Sequence, residues 1–443
     1  MTKREIVFRS YIVLLMASMA VDVNLFPVGV LSVQSLPLSI PVAFIGAAFP
    51  LYFFRDFLRF VRERRALLAI GLLFLLSGLV SVALSPFPGH YGLKLLFQYG
   101  AFLGVSFLLL FLFSLDRGLG AFFLRTAAGL ALVLALVALF ESANGSFYRF
   151  LADTFRYGEY QIVDGRGRVG ATLSHSNIFG CFMSIGILLL VHLKKSSGMK
   201  TWVFLPAVLF LCTAMVLSGS RNAAMVLLVP AALLLFNGKT AKEALAVIFL
   251  GVFLLAVLTP SAARFADLWK IASGRDWSTG EKAAAGAPVE DNTAATRFLL
   301  WQSGLRMFRD HPLFGIGPGG SNLAMKDYAP EPLLAVEREK IDRGYLHTHN
   351  GLLNILAEFG AAGTAVGLAG LFHVLVPLVR RYGLFPPAPV HALLLGVVLS
   401  FGPDAFFYSR FYMVLGSTLF LLFAFPGEAR SGSSPPLQEK TAP

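Results

Sequence analysis

Long, largely apolar runs recur along the whole chain, for example at residues 66–84, 119–140 and 243–260. A helix rises about 1.5 Å per residue, so roughly 20 apolar residues cross the hydrocarbon core of a bilayer. Only 14% of the 443 residues are charged, against about 25% in an ordinary soluble domain. A transmembrane barrel would alternate apolar and polar residues instead. The sequence therefore predicts an all-α polytopic membrane protein.

The apolar runs predict about twelve transmembrane helices in one bundle, because most connections are short and join antiparallel neighbours. The predicted spans lie near residues 10–27, 37–54, 66–84, 92–113, 119–140, 172–192, 201–218, 222–237, 243–260, 351–379, 388–402 and 411–426. The predicted organisation is helices 1–9 in residues 1–260 with an outward loop at 141–171, a large outward loop with an amphipathic helix at 261–350, helices 10–12 at 351–427, and a disordered tail at 428–443.

The net charge of +12 raises the question of nucleic-acid binding, and the distribution of the charge answers it. The excess of Lys and Arg falls in alternate short connections and at the amino terminus, for example at Lys3, Arg4 and Arg9. The two long loops, 141–171 and 261–347, are each neutral overall. By the positive-inside rule both termini are cytoplasmic and the two long loops face outward. The basic charge is thus a topology signal, and no nucleic-acid partner is expected.

The remaining sequence features outside the loops have simple interpretations. Cys181 and Cys212 lie in predicted spans and are expected to be core residues. The first apolar run carries Asp22 and Asn24 without a small-residue cleavage site, which predicts a first span and not a signal peptide. Other ionisable residues in or beside spans are expected to pair internally or to line a cavity. These residues are Asp22, Lys94, Glu358 and Asp404.

The two outward loops contain predicted local structure. Loop 141–171 is expected to be partly helical, and the Ala/Gly-rich segment 274–292 is expected to be mobile. The segment Thr296–Asp310 predicts an amphipathic helix lying on the bundle or the membrane. Its expected apolar face consists of Phe298, Leu299, Trp301, Leu305 and Phe308. His311-Pro312 should stop this helix, and the glycine-rich stretch 315–320 should form a turn.

A His-Thr-His-Asn sequence, residues 347–350, stands where the large loop meets the next span. A histidine at a water–membrane boundary suits a general base near neutral pH. The alternative interpretation is an interfacial histidine, with Asn350 as the N-cap of the following helix. Two histidines at positions i and i+2 lack a third ligand, so no metal and no cofactor are predicted.

Arg221 ends a very short Ser-Gly-Ser turn between two apolar spans. An arginine so close to hydrocarbon is costly unless it faces a cavity or an anion, which favours a functional role. The backbone N–H groups of the turn would add donors around an anion. The alternative is an arginine that extends to the interface and has no other role.

Further arginines cluster in the outward loops, and the guanidinium fork suits phosphate. They are Arg166, Arg168, Arg297, Arg306 and Arg309. Because both loops are neutral overall, a phosphate site would arise from local placement and not from the general potential. For each single arginine the alternative is a surface salt bridge.

Four patterns together resemble the O-antigen ligase and O-antigen polymerase superfamily of bacteria. They are the His-Asn-x-x-Leu pattern at His349 followed by Glu-x-Gly-x-x-Gly up to Gly363, the Ser-x-Ser-Arg turn at Arg221, the Arg168-Val-Gly segment leading to Asn177, and the stretch from Arg297 through Trp301 and Pro312 to Gly315-Ile-Gly317. The resemblance covers most of residues 160–365, together with the span count and the position of the large loop.

The resemblance implies a metal-independent, lipid-dependent glycosyltransferase on the periplasmic face of the bacterial inner membrane. Its donor would be a glycan on undecaprenyl diphosphate. Its acceptor would be the lipid A core for a ligase, or a second lipid-linked glycan for a polymerase. The implied catalytic residues are His349 as base, with Arg221 and Arg297 binding the donor diphosphate. His347 is a nearby alternative base, and the further substrate-binding candidates are His347, Arg166, Arg168, Arg306 and Asn350.

The chemistry suits these residues. A sugar hydroxyl must lose a proton as it attacks the anomeric carbon, and fixed arginines stabilise the leaving diphosphate. The expected reaction is a single displacement with inversion. The long loop directly before the His-bearing span resembles the layout of the ligases, so a ligase is favoured over a polymerase. The rival class is a glycolipid flippase or other transporter, which predicts charge and broken helices at the midplane, whereas the spans show few paired Gly/Pro breaks. A membrane scaffold would not explain Arg221.

Overall fold

The computed structural model describes residues 2–21, 24–26, 36–37, 39–87, 89–116, 118–155, 162–163, 166–173, 175–258, 293–342, 346–383, 388–401 and 410–425. For Arg166 and Arg221 the structure describes the backbone alone. Asp22, Asp404, the segment 274–292 and the tail 428–443 lie outside these ranges. The expectations for them therefore stay predictions.

Helices dominate the described chain, as predicted. They are α1 (Lys3–Ala20), α2 (Ser39–Gly46), α3 (Ala48–Tyr52), α4 (Phe54–Glu63), α5 (Arg65–Leu84), α6 (Gly89–Leu115), α7 (Gly118–Ala143), α8 (Gly145–Phe155), α9 (Ser176–Ser197), α10 (Thr201–Leu217), α11 (Arg221–Leu234), α12 (Ala241–Leu258), α13 (Thr293–Asp310), α14 (Gly320–Tyr328), α15 (Glu331–Asp342), α16 (Gly351–Tyr382), α17 (Pro389–Phe401) and α18 (Arg410–Ala424). The helix α8 confirms that loop 141–171 is partly helical.

Two short hairpins were not expected from the apolar pattern. Strand β1 (Asn24–Phe26) pairs antiparallel with β2 (Leu36–Pro37), and β3 (Ile162–Val163) pairs antiparallel with β4 (Arg166–Gly167). Strands of two or three residues are too short to show a period-2 pattern, so a search for periodicity misses them.

Among the described residues, five helices are long and apolar enough to cross a membrane: α5, α6, α7, α9 and α16. A sixth span is possible if the pair Pro41–Tyr52 and Phe54–Glu63, bent by 97°, crosses as one unit. Shorter apolar helices occur at Thr201–Leu217, Asn222–Leu234, Pro389–Ser400 and Met413–Ala424. These helices are those of a multi-pass membrane protein, while the count of twelve spans stays a prediction.

The core of the bundle is centred on α9, which packs against α7, α10, α11 and α17. In the most apolar 18-residue stretch of α9, 83% of the residues are buried. In that of α5 only 17% are buried, so most of its side chains lie on the outer surface. Cys181 and Cys212 are both buried in this core and unbridged, as predicted.

The long helix α16 is broken at Gly360, where φ is 63° and ψ is −165°, a conformation open essentially to glycine alone. Residues 312–317 pair with the interrupted backbone; we call this arrangement the backbone clasp. Its bonds run from Ile316 N to Ala357 O (2.9 Å), Gly317 N to Glu358 O (3.0 Å), Ala361 N to Pro312 O (2.8 Å) and Ala362 N to Leu313 O (3.0 Å). The clasp provides hydrogen-bond partners for the backbone groups that the break leaves unpaired.

The predicted amphipathic helix is present as α13, and it packs against α16. Its buried face is not the expected one. Leu300, Ser303, Gly304 and Met307 are buried, whereas Phe298 and Leu305 are 41% and 50% exposed. Small residues at 303 and 304 let the two helices approach closely, which an apolar pattern alone does not reveal.

Candidate functional site

Residues 346–350, here called the histidine segment, lead directly into α16. The ring centroids of His347 and His349 lie 4.2 Å apart with a tilt of 35°. His349 has φ 49°, a left-handed backbone conformation that is uncommon for a residue other than glycine. The Asn350 side chain accepts hydrogen bonds from Leu352 N and Leu353 N, both at 3.1 Å, so the predicted N-cap is confirmed.

A buried polar network lies beneath this segment. The hydroxyl of Thr348 lies 3.2 Å from Oδ1 of Asn354, which also accepts from the Ser321 hydroxyl at 3.2 Å. Ser321 lies 2.5 Å from Oε1 of Glu358 as well. All four side chains are 0–1% exposed. The network therefore joins the histidine segment, α14 and the break of α16, and it accounts for Glu358 as an internally bonded carboxyl.

The helix α13 brings Arg297 to the same region. A Cβ on Gly304 would lie 2.8 Å from Cγ2 of Thr348, so the histidine segment rests directly on α13 at this point. Arg297 is seven residues earlier, on the same face of the helix and about 10 Å along its axis. Arg297 is partly exposed and interacts with neighbouring groups.

A second cluster forms around the turn that precedes Arg221, the first residue of α11. The guanidinium of Arg168 donates to the carbonyl of Ser218 at 2.8 Å and to Oδ1 of Asn177 at 2.6 Å. Val169 N adds a bond to Leu217 O at 3.4 Å. We call residues 168–171, Asn177 and 218–221 the arginine cluster. The predicted segment around Arg168 and the predicted turn at Arg221 are thus neighbours in space.

The turn does not offer the free backbone donors that its sequence suggested. Gly219 N donates to Val216 O at 2.9 Å, and Ser220 N donates to the Ser218 hydroxyl at 3.2 Å. The anion nest expected at Ser-Gly-Ser is therefore wrong for these two amides, because each already has an acceptor within the turn. Any anion bound here would depend on side chains instead.

Glu141 supports the arginine cluster from below. This carboxylate is 1% exposed and accepts from Gly170 N at 3.2 Å and from Ala171 N at 2.8 Å. Ala171 has φ 49°, and with His349 it makes up the non-glycine residues at positive φ in the described chain. Non-glycine residues with such left-handed backbone conformations concentrate at functional sites.

Both clusters lie at one end of the bundle. A Cβ on Gly92, near the start of α6, would contact the carbonyl oxygen of Pro318 at 3.3 Å, just after the backbone clasp. The helices α6 and α7 contact each other and are separated by two residues, so α7 returns to the same end and finishes near Glu141. Whether Arg221, Arg297 and His349 face one cavity remains a prediction.

Arg306 lies farther along α13. Its Nη1 is 3.5 Å from the carbonyl oxygen of Tyr328. Burial raises the pKa of Tyr328 above its ordinary value, and the nearby carboxylate of Asp310, which accepts a hydrogen bond from the phenol, adds to the rise. This contact gives Arg306 a structural partner at the end of α14.

The sequence interpretation missed Glu141, Thr348, Asn354 and Ser321. Glu141 is the first residue after a predicted span, and such an acid could have been flagged as costly unless bonded. The hydroxyl and amide residues carry no spacing signal, because their partners are distant in sequence. Within the described residues, no three His, Cys, Asp or Glu side chains group as a metal site.

Comparison with known proteins gives one family. Residues 205–368 match the family model described as O-antigen ligase. The matched region contains Arg221, Arg297, the backbone clasp and the histidine segment. No curated protein matches the chain. The match supports a ligase- or polymerase-type function in O-antigen synthesis. The similarity to the O-antigen ligase family is thus shown for residues 205–368, a little over a third of the chain.

Proposed function

We propose that this protein is an O-antigen ligase that transfers a glycan from undecaprenyl diphosphate to a sugar hydroxyl of the lipid A core. The main observation in support is that the histidine segment, α13 with Arg297, and the turn before Arg221 belong to one end of the bundle. Arg168, whose guanidinium is bonded to that turn, adds an arginine held in place there.

In the proposed reaction His349 accepts the proton of the acceptor hydroxyl as its oxygen attacks the anomeric carbon. The bond from that carbon to the diphosphate oxygen breaks, and the configuration inverts. Arg221 and Arg297 bind the diphosphate, whose negative charge grows as it leaves, so fixed guanidinium groups favour the transition state without a metal ion. His347 stands close enough to be the alternative base. The further substrate contacts proposed are His347, Arg166, Arg168, Arg306 and Asn350.

The proposed topology has about twelve spans in the bacterial inner membrane, with both termini in the cytoplasm. Loop 141–171 and residues 261–350 would lie in the periplasm, where the lipid-linked donor is exposed. The alternation of basic connections supports this orientation. Membrane lipids are then the remaining partners.

Two alternatives remain in the proposal. A polymerase would use the same chemistry with a second lipid-linked glycan as acceptor, and the arginines in both outward loops favour it. A glycolipid flippase or transporter is favoured by the break at Gly360, because discontinuous helices are typical of transporters. Here, however, the broken backbone is bonded to residues 312–317 instead of lining a cavity, which supports the enzyme.

The test is a transfer assay with purified protein in proteoliposomes that contain undecaprenyl-diphosphate glycan, with and without lipid A core and with and without EDTA. A ligase consumes the donor only when lipid A core is present, and EDTA should not change the rate. His349→Ala should lower turnover at least about 100-fold, because a positioned base contributes about 10²–10⁴. His90→Ala, an exposed histidine at the same end, is the control. Elongation of the donor without lipid A core would identify a polymerase.

A further inference from the structure

We propose that Thr348 is a positioning residue for the catalytic base, and that it acts by holding the histidine segment between α13 and α16. This inference rests on the proposed function, because it concerns the geometry of His349. Thr348 itself would touch neither donor nor acceptor, since its side chain is 0% exposed.

The hydroxyl of Thr348 holds one side of the segment. It lies 3.0 Å from the carbonyl oxygen of Asn350 and 3.2 Å from Oδ1 of Asn354, so its single proton is shared between the two acceptors. Asn354 is in turn bonded to Ser321, whose hydroxyl reaches Glu358 at the clasp. The segment is thereby tied to the part of α16 whose backbone is most heavily cross-bonded.

The methyl group of Thr348 holds the other side. It points at Gly304 of α13, where an added Cβ would lie 2.8 Å from Cγ2. Glycine at 304 is therefore required for the present closeness of the segment to α13. A threonine supplies both contacts at once, a polar one toward α16 and an apolar one toward α13.

The conformation that these contacts hold is an unusual one. His349 follows Thr348 directly and has φ 49°, which a non-glycine residue keeps only where its surroundings impose it. Asn350 fixes the segment from the carboxyl side by capping α16. Thr348 is the matching constraint on the amino side. Without it the backbone at His349 can relax to negative φ, and the imidazole moves away from its working position.

The expected consequence is a loss of rate more than of binding. A displacement of about 1 Å at a catalytic group can cost on the order of 100-fold. Thr348→Val keeps the shape of the side chain and removes the hydroxyl, so it should lower kcat by about 10- to 100-fold with KM changed less than about threefold. Thr348→Ser keeps the hydroxyl and should retain most of the rate.

Thr240→Val is the matched control. Thr240 is 2% exposed, and its hydroxyl is shared in the same way between Leu234 O and Asn237 O, both at 3.2 Å. It follows α11, at the opposite end of the bundle from Arg221. Its variant should leave kcat unchanged, so a specific loss in Thr348→Val cannot be attributed to a buried threonine in general.

A second pair of variants tests the α13 side. Gly304→Ala should push the segment away and lower kcat in the manner of Thr348→Val. The double variant Gly304→Ala with Thr348→Ser should regain rate, because serine lacks the methyl that an alanine at 304 would meet. Hydrogen–deuterium exchange adds a readout independent of activity: amides of residues 346–354 should exchange faster in Thr348→Val and not in Thr240→Val.

The outcomes separate the two proposals. Turnover by His349→Ala overturns the role of His349 as the base and this inference with it, while loss of transfer in the wild type would overturn the proposed function itself. An inactive His349→Ala beside a Thr348→Val with normal kcat and normal exchange overturns the positioning role alone. Equal losses in Thr348→Val and in the Thr240→Val control also overturn it, since the loss would then follow from any buried threonine. Loss in the valine variant with recovery in serine, and recovery in the double variant, supports it.

Discussion

The arginine cluster and the histidine segment lie at the same end of the bundle, and each contains a non-glycine residue with φ 49°. They are held by different forces. Charged groups hold the arginine cluster, where Glu141 accepts two backbone N–H bonds and Arg168 donates to Ser218 and Asn177. Neutral hydroxyl and amide groups hold the histidine segment, through Thr348.

The difference predicts how each region responds to mutation. Hydrogen bonds to an ionised group are roughly twice as strong as neutral ones, and removing one partner leaves the other buried and unsatisfied. The arginine cluster should therefore lose stability when one charged side chain changes. A change in the histidine segment should displace its residues before it lowers the stability of the protein. The stability of this region depends instead on the backbone clasp beneath it.

The largest effect is expected at the clasp. Gly315 has φ 71°, and a Cβ there would collide with the backbone of Glu358. Gly315→Ala combines positive-φ strain with a clash against atoms that cannot yield, so we expect a loss of at least about 4 kcal/mol. The measurement is the yield of monodisperse protein and its thermal melting in detergent.

Gly129→Ala is the control for that substitution. Gly129 lies within α7, and an added Cβ meets nothing within 4 Å. Alanine should stabilise this helix slightly, by up to about 1 kcal/mol. If Gly315→Ala melts with the wild type, the clasp does not support the histidine segment, and the contrast between the two regions fails.

Glu141 gives the next largest effect. Glu141→Ala leaves the N–H groups of Gly170 and Ala171 without their carboxylate acceptor, at about 1–3 kcal/mol for each buried donor. Glu141→Gln keeps one carbonyl oxygen and should lose about half as much. Melting of both variants should be compared with that of Thr348→Val, for which about 1 kcal/mol is expected. Equal melting of Glu141→Ala and Thr348→Val would show that charge does not distinguish the two regions.

Sequence reasoning located the elements better than the contacts between them. The apolar runs predicted the long helices, and the residue types at Arg221 and His349 marked both clusters, because charge and histidine beside apolar spans are rare enough to be noticed. The break at Gly360 was visible only as part of a motif. Its partners at 312–317 are bonded through the backbone, which leaves no side-chain pattern to detect.

The same limit explains Glu141 and Thr348. A carboxylate that caps backbone amides 29 and 30 residues away has no fixed spacing. The positioning role of Thr348 depends on its contact with Gly304, and in the sequence Gly304 is recognisable only as a small residue within a helix. Both residues became visible when distant segments were brought together, and neither carries chemistry of its own that would mark it.

The smallest effects concern the two strained residues, and here only the histidine segment should gain stability. A non-glycine residue in the left-handed conformation costs about 1–2 kcal/mol, and substitution by glycine removes this cost. Glycine also makes the unfolded chain more flexible, which lowers the stability of the folded state by about 0.5–1 kcal/mol. Ala171→Gly also loses a fully buried methyl group, worth about 0.8 kcal/mol, so its terms should cancel to within about 1 kcal/mol.

His349→Gly should instead stabilise the protein by about 0.5–1 kcal/mol, because His349 is partly exposed and little buried area is lost. His349→Ala keeps the strained backbone and serves as its control, since both variants lack the imidazole. The measurement is thermal melting of the three variants in one detergent. A higher melting temperature for His349→Gly than for His349→Ala, with Ala171→Gly near wild type, would mean that the strain at His349 is maintained for the reaction. Destabilisation by His349→Gly would instead make the left-handed conformation a consequence of packing, as at Ala171.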